Sequence, residues 1–237
     1  MIPSWSYSKL GDFEKCKFLC WLKHDQKIPE PERPLPAGKT EHANERGSRV
    51  HDAAEHYVDG TGPFINELRK FNDPLSDFPD HFDKLKRLFA LGKVELEGEW
   101  GMDREWETTE WKGAWLRLKL DALVHDGKYK AVVIDYKTGK KYGNEIKHAQ
   151  QLQLYALVTF LRYPYLDEVT SELWYLDVGE ITTQTFTRDQ ALRFKRSFDK
   201  RGSDFTSCDV WPANPNKYSC KWCAYGPAGT GDCSVGV

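Results

Sequence analysis

WLRLKLDALVHDGKYKAVVIDYKTG, residues 115–139, decides how the chain folds. From Trp115 to Val124 apolar and polar residues alternate. Leu116, Leu118 and Leu120 take one side and Arg117, Lys119 and Asp121 the other, as in a half-buried strand. After the turn signal Asp126-Gly127, residues 131–137 (AVVIDYK) form a short apolar run typical of a buried central strand. Residues 115–137 therefore predict a β-hairpin. Side chains alternate along a strand, so Asp135 and Lys137 share a face. The position of Asp121 depends on the loop. A two-residue loop at Asp126-Gly127 pairs Asp121 with Val132 and puts it on the wrong side. A three-residue loop, Asp126 to Lys128, pairs it with Val133 and makes Asp121 and Asp135 diagonal neighbours, ~7–8 Å apart.

Two carboxylates converging on one side of a sheet make a hard-oxygen site suited to Mg²⁺ or Mn²⁺. The Lys137 ammonium, two residues on, could orient a water or stabilise charge gathering on a phosphate. Such a set suits phosphodiester hydrolysis. The same residues also admit an ordinary cross-strand ion pair, Asp121 with Lys137, with Asp135 marking a polar strand end.

Outward from the hairpin the periodicity is helical. Leu10, Phe13, Phe18, Leu19 and Leu22 predict a helix between Ser6 and His24, capped by Ser6 or Ser8. A second helix runs from about Glu45 to Asp59, with Gly60 at its C-terminal cap and His51 one turn before Glu55. A third covers Pro79 to Leu91. Glu145 to Arg162 forms a fourth, with Gln151 and Tyr155 one turn apart. Strands follow at Glu172 to Leu176 and Ile181 to Phe186, then a helix over Arg188 to Lys200. Proline-rich stretches at Ile28 to Lys39 and Trp211 to Lys217 predict extended loops. This order predicts an α/β fold with a central mixed sheet flanked by helices.

The 237 residues include 34 Lys+Arg, 36 Asp+Glu and 40% hydrophobic residues, which excludes disordered, collagenous and disulfide-scaffold chains. No apolar run reaches the ~18 residues of a membrane span, and the start lacks the layout of a secretory signal, so an intracellular, cytoplasmic protein is expected. Six cysteines there are expected as free thiols or metal ligands. Cys220-x-x-Cys223 is a knuckle suited to zinc or an iron–sulfur cluster, whereas Cys20 and Cys208 read as buried core thiols. Lys140, Lys141, Lys147 and His148, with Arg117 and Lys119, suggest a basic rim, although charged runs are more often solvated surface.

Gly47-x-x-x-His51, a strand ending in Asp121, Asp135-Tyr136-Lys137-Thr138-Gly139 and Gln151-Leu152-Gln153-Leu154-Tyr155 together resemble RecB-type nucleases of the PD-(D/E)XK superfamily. The stretch from Ser8 to Cys16 and the cysteines Cys220, Cys223 and Cys233 resemble its cysteine-bearing branch. That branch includes CRISPR-associated four-cysteine exonucleases, the AddB nuclease domain and related phage exonucleases. Lys17 stands where the family usually has proline.

The resemblance implies a single nuclease domain over 1–237 with a restriction-endonuclease-like core. Residues 1–95 would be its mainly helical N-terminal part, 96–200 the catalytic core and 201–237 the cysteine segment. It further implies His51, Asp121, Asp135 and the Tyr136 backbone carbonyl as ligands of catalytic Mg²⁺ or Mn²⁺, and Lys137 as the catalytic lysine. Gln151 and Tyr155 would line the cleft, contacting DNA or holding Lys137. Cys16, Cys220, Cys223 and Cys233 would carry a 4Fe–4S cluster, or zinc, tying the chain's two ends together. The expected activity is exonuclease action on DNA ends, single-stranded at the site, in recombination, repair, DNA processing or CRISPR adaptation. The host would be a bacterial, archaeal or phage-infected cell. A non-catalytic DNA-end or partner-binding protein and a structure-specific endonuclease are the alternatives.

Overall fold

The computed structural model describes residues 2–32, 35, 38, 40–62, 78–139 and 141–237, without the side chains of 78 and 79. The chain runs through α1 (Tyr7–Lys15), α2 (Lys17–Cys20), α3 (Ala43–Asp59), α4 (Phe78–Ala90), β1 (Val94–Met102), β2 (Thr108–Thr109), β3 (Leu116–Asp126) and β4 (Lys130–Lys137). It continues through α5 (Glu145–Arg162), β5 (Glu168–Tyr175), β6 (Glu180–Thr187), α6 (Arg188–Thr206) and α7 (Lys217–Cys220). The strands form one sheet in the order β2-β1-β3-β4-β5-β6. Among the strands of the described residues only β4 and β5 pair in parallel, which requires a crossover, and α5 supplies it.

Helices bury both faces, which explains the unbroken apolar run of β4. On one face Leu154, Leu157 and Phe160 of α5 and Phe198 and Phe205 of α6 pack with Leu118, Leu120 and Val133. On the other, Val50, Ala54 and Val58 of α3 and Phe82 and Leu85 of α4 pack with Ala122, Ile134, Tyr136 and Trp174. Among the described residues no helix is long and apolar enough to cross a membrane.

The expected helices over Glu45–Asp59 and Glu145–Arg162 are present as α3 and α5, and Gly60 closes α3 with φ +81°. The helix expected from Arg188 to Lys200 continues to Thr206, because Phe198, Gly202 and Phe205 keep its buried stripe going. The proline-rich stretch 211–216 has no regular structure, while residues 33, 34, 36, 37 and 39 of the first such stretch lie outside the described residues.

Three expectations need correction. The single helix expected between Ser6 and His24 is broken at Cys16, which is extended (φ −162°, ψ 115°), and a π-helical turn, Trp21–Asp25, follows α2. The C-terminal segment docks at this break: Phe18 N–H donates to Pro212 O at 3.2 Å and Asn214 N–H to Cys16 Sγ at 3.4 Å. Cys16 thus adopts the conformation usual before proline, although Lys17 follows it. Second, β1 (Val94–Met102) adds a strand beside β3 that the sequence did not lead one to expect. Third, the hairpin has neither expected register. Its loop is Gly127 to Tyr129, with Gly127 at φ +76° and Tyr129 O taken by the Asp167 and Glu168 N–H groups. Pairing of Ala122 with Ile134 follows, and continuing that register sets Asp121 directly opposite Asp135.

Regular pairing fails at Asp121 itself. β1 and β3 pair on either side of Glu97 and Asp121 but not at that step, and β3–β4 pairing begins one residue later, at Ala122. Glu97 has φ +45°. Across this fault the buried faces exchange: Leu118 and Leu120 face α5, while Ala122 and Val124 face α3 and α4. Trp100 and Met102 of β1 likewise lie on the α5 side and Val94 on the other.

Candidate active site

The fault lets both helical layers reach one pair of carboxylates. From α3, His51 Nδ1 lies 2.9 Å from Asp121 Oδ1, and the Tyr136 N–H donates to Asp121 Oδ2 at 2.5 Å. From α5, the Tyr155 hydroxyl donates to Asp135 Oδ1 at 2.5 Å and Gln151 Nε2 to the same oxygen at 3.3 Å. Gln151 Nε2 also meets the Tyr155 hydroxyl at 2.7 Å. Lys137 Nζ lies 2.6 Å from Asp135 Oδ2, yet that buried oxygen has no partner in hydrogen-bonding geometry. His51, Asp121, Asp135, Lys137, Gln151 and Tyr155 are therefore brought together. Gln151 and Tyr155, expected to line the cleft and contact DNA or hold Lys137, line the cleft, and both bond Asp135.

Local packing sets these positions. Gly47, one turn before His51, lies against the loop after β4, where a Cβ would stand 3.3 Å from Thr138 Oγ1. The Tyr136 ring points into the α3 and α4 layer, against His51, Phe82 and Trp174, and its backbone N–H is what meets Asp121. Arg46 donates to both carboxylate oxygens of Asp177, at 2.9 and 2.5 Å, and Asp177 also accepts from the Gly139 N–H at 2.8 Å. This clamp pins the loop after Lys137 to α3.

Charge at the site is poorly neutralised. Burial pushes the Asp121 carboxyl above the usual carboxylate range and the charge of Asp135 adds to this, against the bonds from His51 and Tyr136. Burial opposes the imidazolium of His51, but the hydrogen bond and charge of Asp121, with the charge of Asp135, raise its pKa overall. Sequence reasoning missed Glu97. Burial and the charges of Asp121 and Glu55 raise its carboxyl, and its left-handed backbone is unusual for such a residue. The only sequence signal was the alternation of Val94, Leu96, Trp100 and Met102 with three glutamates. Asp177 gave no signal, because its partners come from two distant elements.

Lys137, Gln151 and Tyr155 open onto a cleft of ≈ 570 Å³ whose lining includes Arg117, Lys119 and Lys147. His148 also lines it; Lys141 instead pairs with Glu180 at 2.5 Å, and Lys140 lies outside the described residues. Cys16, Cys220, Cys223 and Cys233 share a second pocket, between the Cys16 break and the C-terminal segment. Backbone N–H groups of Val237 and Asn216 hold the Cys220 thiol below its usual pKa. Cys20 and Cys208 are buried outside that pocket, and burial pushes the Cys20 thiol up to about 12.

Among the described residues no three His, Cys, Asp or Glu side chains stand arranged around a metal position. The donors of the two sites nevertheless suit metals. Asp135, buried with an unsatisfied oxygen, and Asp121, its carboxyl raised by desolvation and by the charge of Asp135, suit a hard divalent cation. Thiols accepting backbone N–H bonds match a thiolate-bound centre.

In whole-fold comparison, the crystal structure of SSO0001 shares 15% identity and a TM-score of 0.48, covering 99% of this chain and 88% of that one. A protein of Eubacterium rectale named as an exonuclease gives 15% and 0.48, covering 99% and 94%. The alkaline exonuclease LHK-Exo of Laribacter hongkongensis gives 14% and 0.33, covering 86% of each chain. No curated protein matches. The family model of the PD-(D/E)XK nuclease superfamily matches residues 4–228, nearly the whole chain and every residue of the carboxylate site. The chain belongs to the PD-(D/E)XK nuclease superfamily.

Proposed function

We propose that the chain is a Mg²⁺- or Mn²⁺-dependent deoxyribonuclease that degrades DNA from its ends. The observation carrying this reading is the opposed pair Asp121 and Asp135 with the Lys137 ammonium 2.6 Å from Asp135. Asp121, Asp135, His51 and the Tyr136 backbone carbonyl would hold the cation, whose binding relieves the repulsion between the two carboxylates. When bound, the cation supplies an acidified water and positive charge for the phosphoryl oxygens. Tyr155 and Gln151 occupy Asp135 Oδ1 and so fix the direction of Oδ2. Lys137, released from Asp135, would orient the attacking water or stabilise charge on the phosphate as the bond breaks. The four cysteines of the second pocket would carry an iron–sulfur cluster, with zinc as the alternative, making residues 1–237 one stapled nuclease domain.

End-labelled linear and closed circular DNA, each incubated with Mg²⁺ or Mn²⁺, test the reading. The wild type is expected to erode linear DNA progressively and to spare circles, while Asp135→Asn and Lys137→Ala lose the activity. Cutting of circles would establish an endonuclease instead. Inactivity of the wild type with every metal, or equal activity in both variants, would overturn the assignment.

A further inference from the structure

Lys9, in the first turn of α1, and Arg117, on β3, both line the cleft that opens onto Lys137, Gln151 and Tyr155. The backbone fixes their proximity. Arg117 N–H donates to Trp5 O and Trp5 N–H to Trp115 O, both at 2.8 Å, so the segment leading into α1 is paired alongside β3. The guanidinium of Arg117 is held in place: Nη2 donates to Lys112 O at 3.2 Å, and the central carbon lies 5.3 Å from the Trp111 ring centroid. Its Nε is buried without a hydrogen-bond partner. Lys9 Nζ reaches only the Ser4 carbonyl, at 3.5 Å.

Neither cation has an ion-pair partner among the described residues, whereas Lys119 pairs with Glu99 at 2.8 Å, Lys141 with Glu180 at 2.5 Å and Arg201 with Glu14 at 2.6 Å. Burial lowers the Lys9 pKa and the charge of Arg117 adds to this, so two like charges face the same cleft. Such a pair is unfavourable in the free protein and becomes favourable once an anion lies between the two. A guanidinium held in one orientation beside a point charge, both lining one cleft, suits a phosphate.

We propose that Lys9 and Arg117 form a phosphate subsite that grips a backbone phosphodiester of the nucleic acid strand beside the one being cut. This rests on the nuclease reading. A terminal phosphate offers the same chemistry, so the test separates the two sources.

The test is equilibrium binding of a labelled single-stranded DNA oligonucleotide in EDTA across a salt series, with and without a 5′- or 3′-terminal phosphate. Lys9→Gln and Arg117→Gln are each expected to weaken binding about tenfold at low salt and to reduce the salt slope by roughly 0.7 per lost contact. Lys9→Arg restores binding. Lys130→Gln, an equal charge change at the start of β4 in a residue paired with Glu168, leaves binding unchanged. In cleavage assays Lys9→Gln raises KM with kcat retained. Without DNA, Lys9→Gln melts no lower than the wild type, because it removes a repulsion. Unchanged salt slopes in Lys9→Gln and Arg117→Gln, or binding differences that vanish when terminal phosphates are absent, would overturn the internal subsite. Because these readouts need no metal, a protein that binds in this way but never cuts would refute the nuclease reading and leave the subsite standing.

Discussion

Asp121 works as a shared point for two layers because the sheet is faulted around it. In regular β-structure its side chain would belong to one face; here it meets His51 from α3 and stands opposite Asp135, which α5 holds. The role of Tyr155 follows directly. Its phenol, pushed well above its usual pKa by burial and by Asp135, stays a proton donor at all working pH and keeps Asp135 Oδ1 occupied. Tyr155→Phe removes a hydrogen bond to a charged group, an interaction of roughly 1.5–3 kcal/mol. It is expected to lower kcat/KM about 10- to 100-fold and to weaken Mg²⁺ binding measured by calorimetry. Unaltered metal affinity would show that the phenol only fills space. Strand spacing named Asp121, Asp135 and Lys137 without settling the face of Asp121, and His51, Gln151 and Tyr155 were legible only through the motif resemblance. Neither revealed who touches whom. One-turn spacing placed Gln151 and Tyr155 on one side of a helix but could not say whether Asp135 or Lys137 lay beneath them. Glu97 stayed hidden because its place depends on a backbone angle that nothing in its side chain signals.

At the scale of elements, long helices with strong apolar stripes and a glycine stop were legible, as α3 and α5 show. Elements whose ends depend on partners far along the chain were not. The break at Cys16 exists because residues 212–214 dock there, and β1 was obscured by Gly98 and Gly101 within an acidic stretch. Gly101 faces Thr109 O and the Ala114 methyl where a Cβ would stand 2.7 and 2.8 Å from them, so that glycine is what lets β2 approach β1. Gly202 does the same for α6, where a Cβ would come within 2.5 Å of Trp5 Nε1 and 2.8 Å of the Trp115 ring. Both indoles are buried and rigid, so Gly202→Ala is expected to destabilise by about 1–3 kcal/mol, read as a lower urea midpoint with unchanged slope. Asp12 joins α1 to the turn after α2 through His24 Nε2 at 2.8 Å and Lys23 Nζ at 3.6 Å. Burial alone would raise its carboxyl, but His24 and Lys23 together hold it below the usual range. A carboxyl whose pKa is depressed on folding stabilises above its unfolded value, near 3.8, and that contribution disappears as pH falls through the folded value. Asp12→Asn should therefore be less stable than the wild type at pH 6, with the difference shrinking as the pH falls below 3.8. Parallel stability curves across that range would show that the contact carries no charge-dependent energy.

Over the whole molecule, the two ends of the chain are built into one corner, so the fold closes on itself. Glu14 on α1 pairs with Arg201 on α6, Asn214 Nδ2 donates to Lys15 O at 3.1 Å, and the Tyr225 hydroxyl donates to Ile28 O at 2.9 Å. Leu22, Ala224 and Tyr225 form a small apolar cluster of their own, separate from the two layers over the sheet. Phe18, Leu19, Trp21 and Ile28 pack against it, half-buried, so this cluster and those hydrogen bonds hold the C-terminal segment. On the function proposed above, the four cysteines of the second pocket would add a further tie. A centre bound through Cys16 and Cys220, Cys223 or Cys233 closes a loop of nearly the entire chain, worth up to roughly 5 kcal/mol by unfolded-chain entropy. Its removal should act locally first, because the sheet and its two helical layers do not depend on it. Cys220→Ser is therefore expected to purify with less bound iron or zinc by elemental analysis. It should also expose residues 207–237 to limited proteolysis while the sheet, α5 and α6 stay resistant, and lower the melting temperature of the full chain. Chelation of the wild type should reproduce the same cleavage pattern. Equal metal content and identical proteolysis in Cys220→Ser would mean that hydrogen bonds and the Tyr225 cluster alone hold the two ends together.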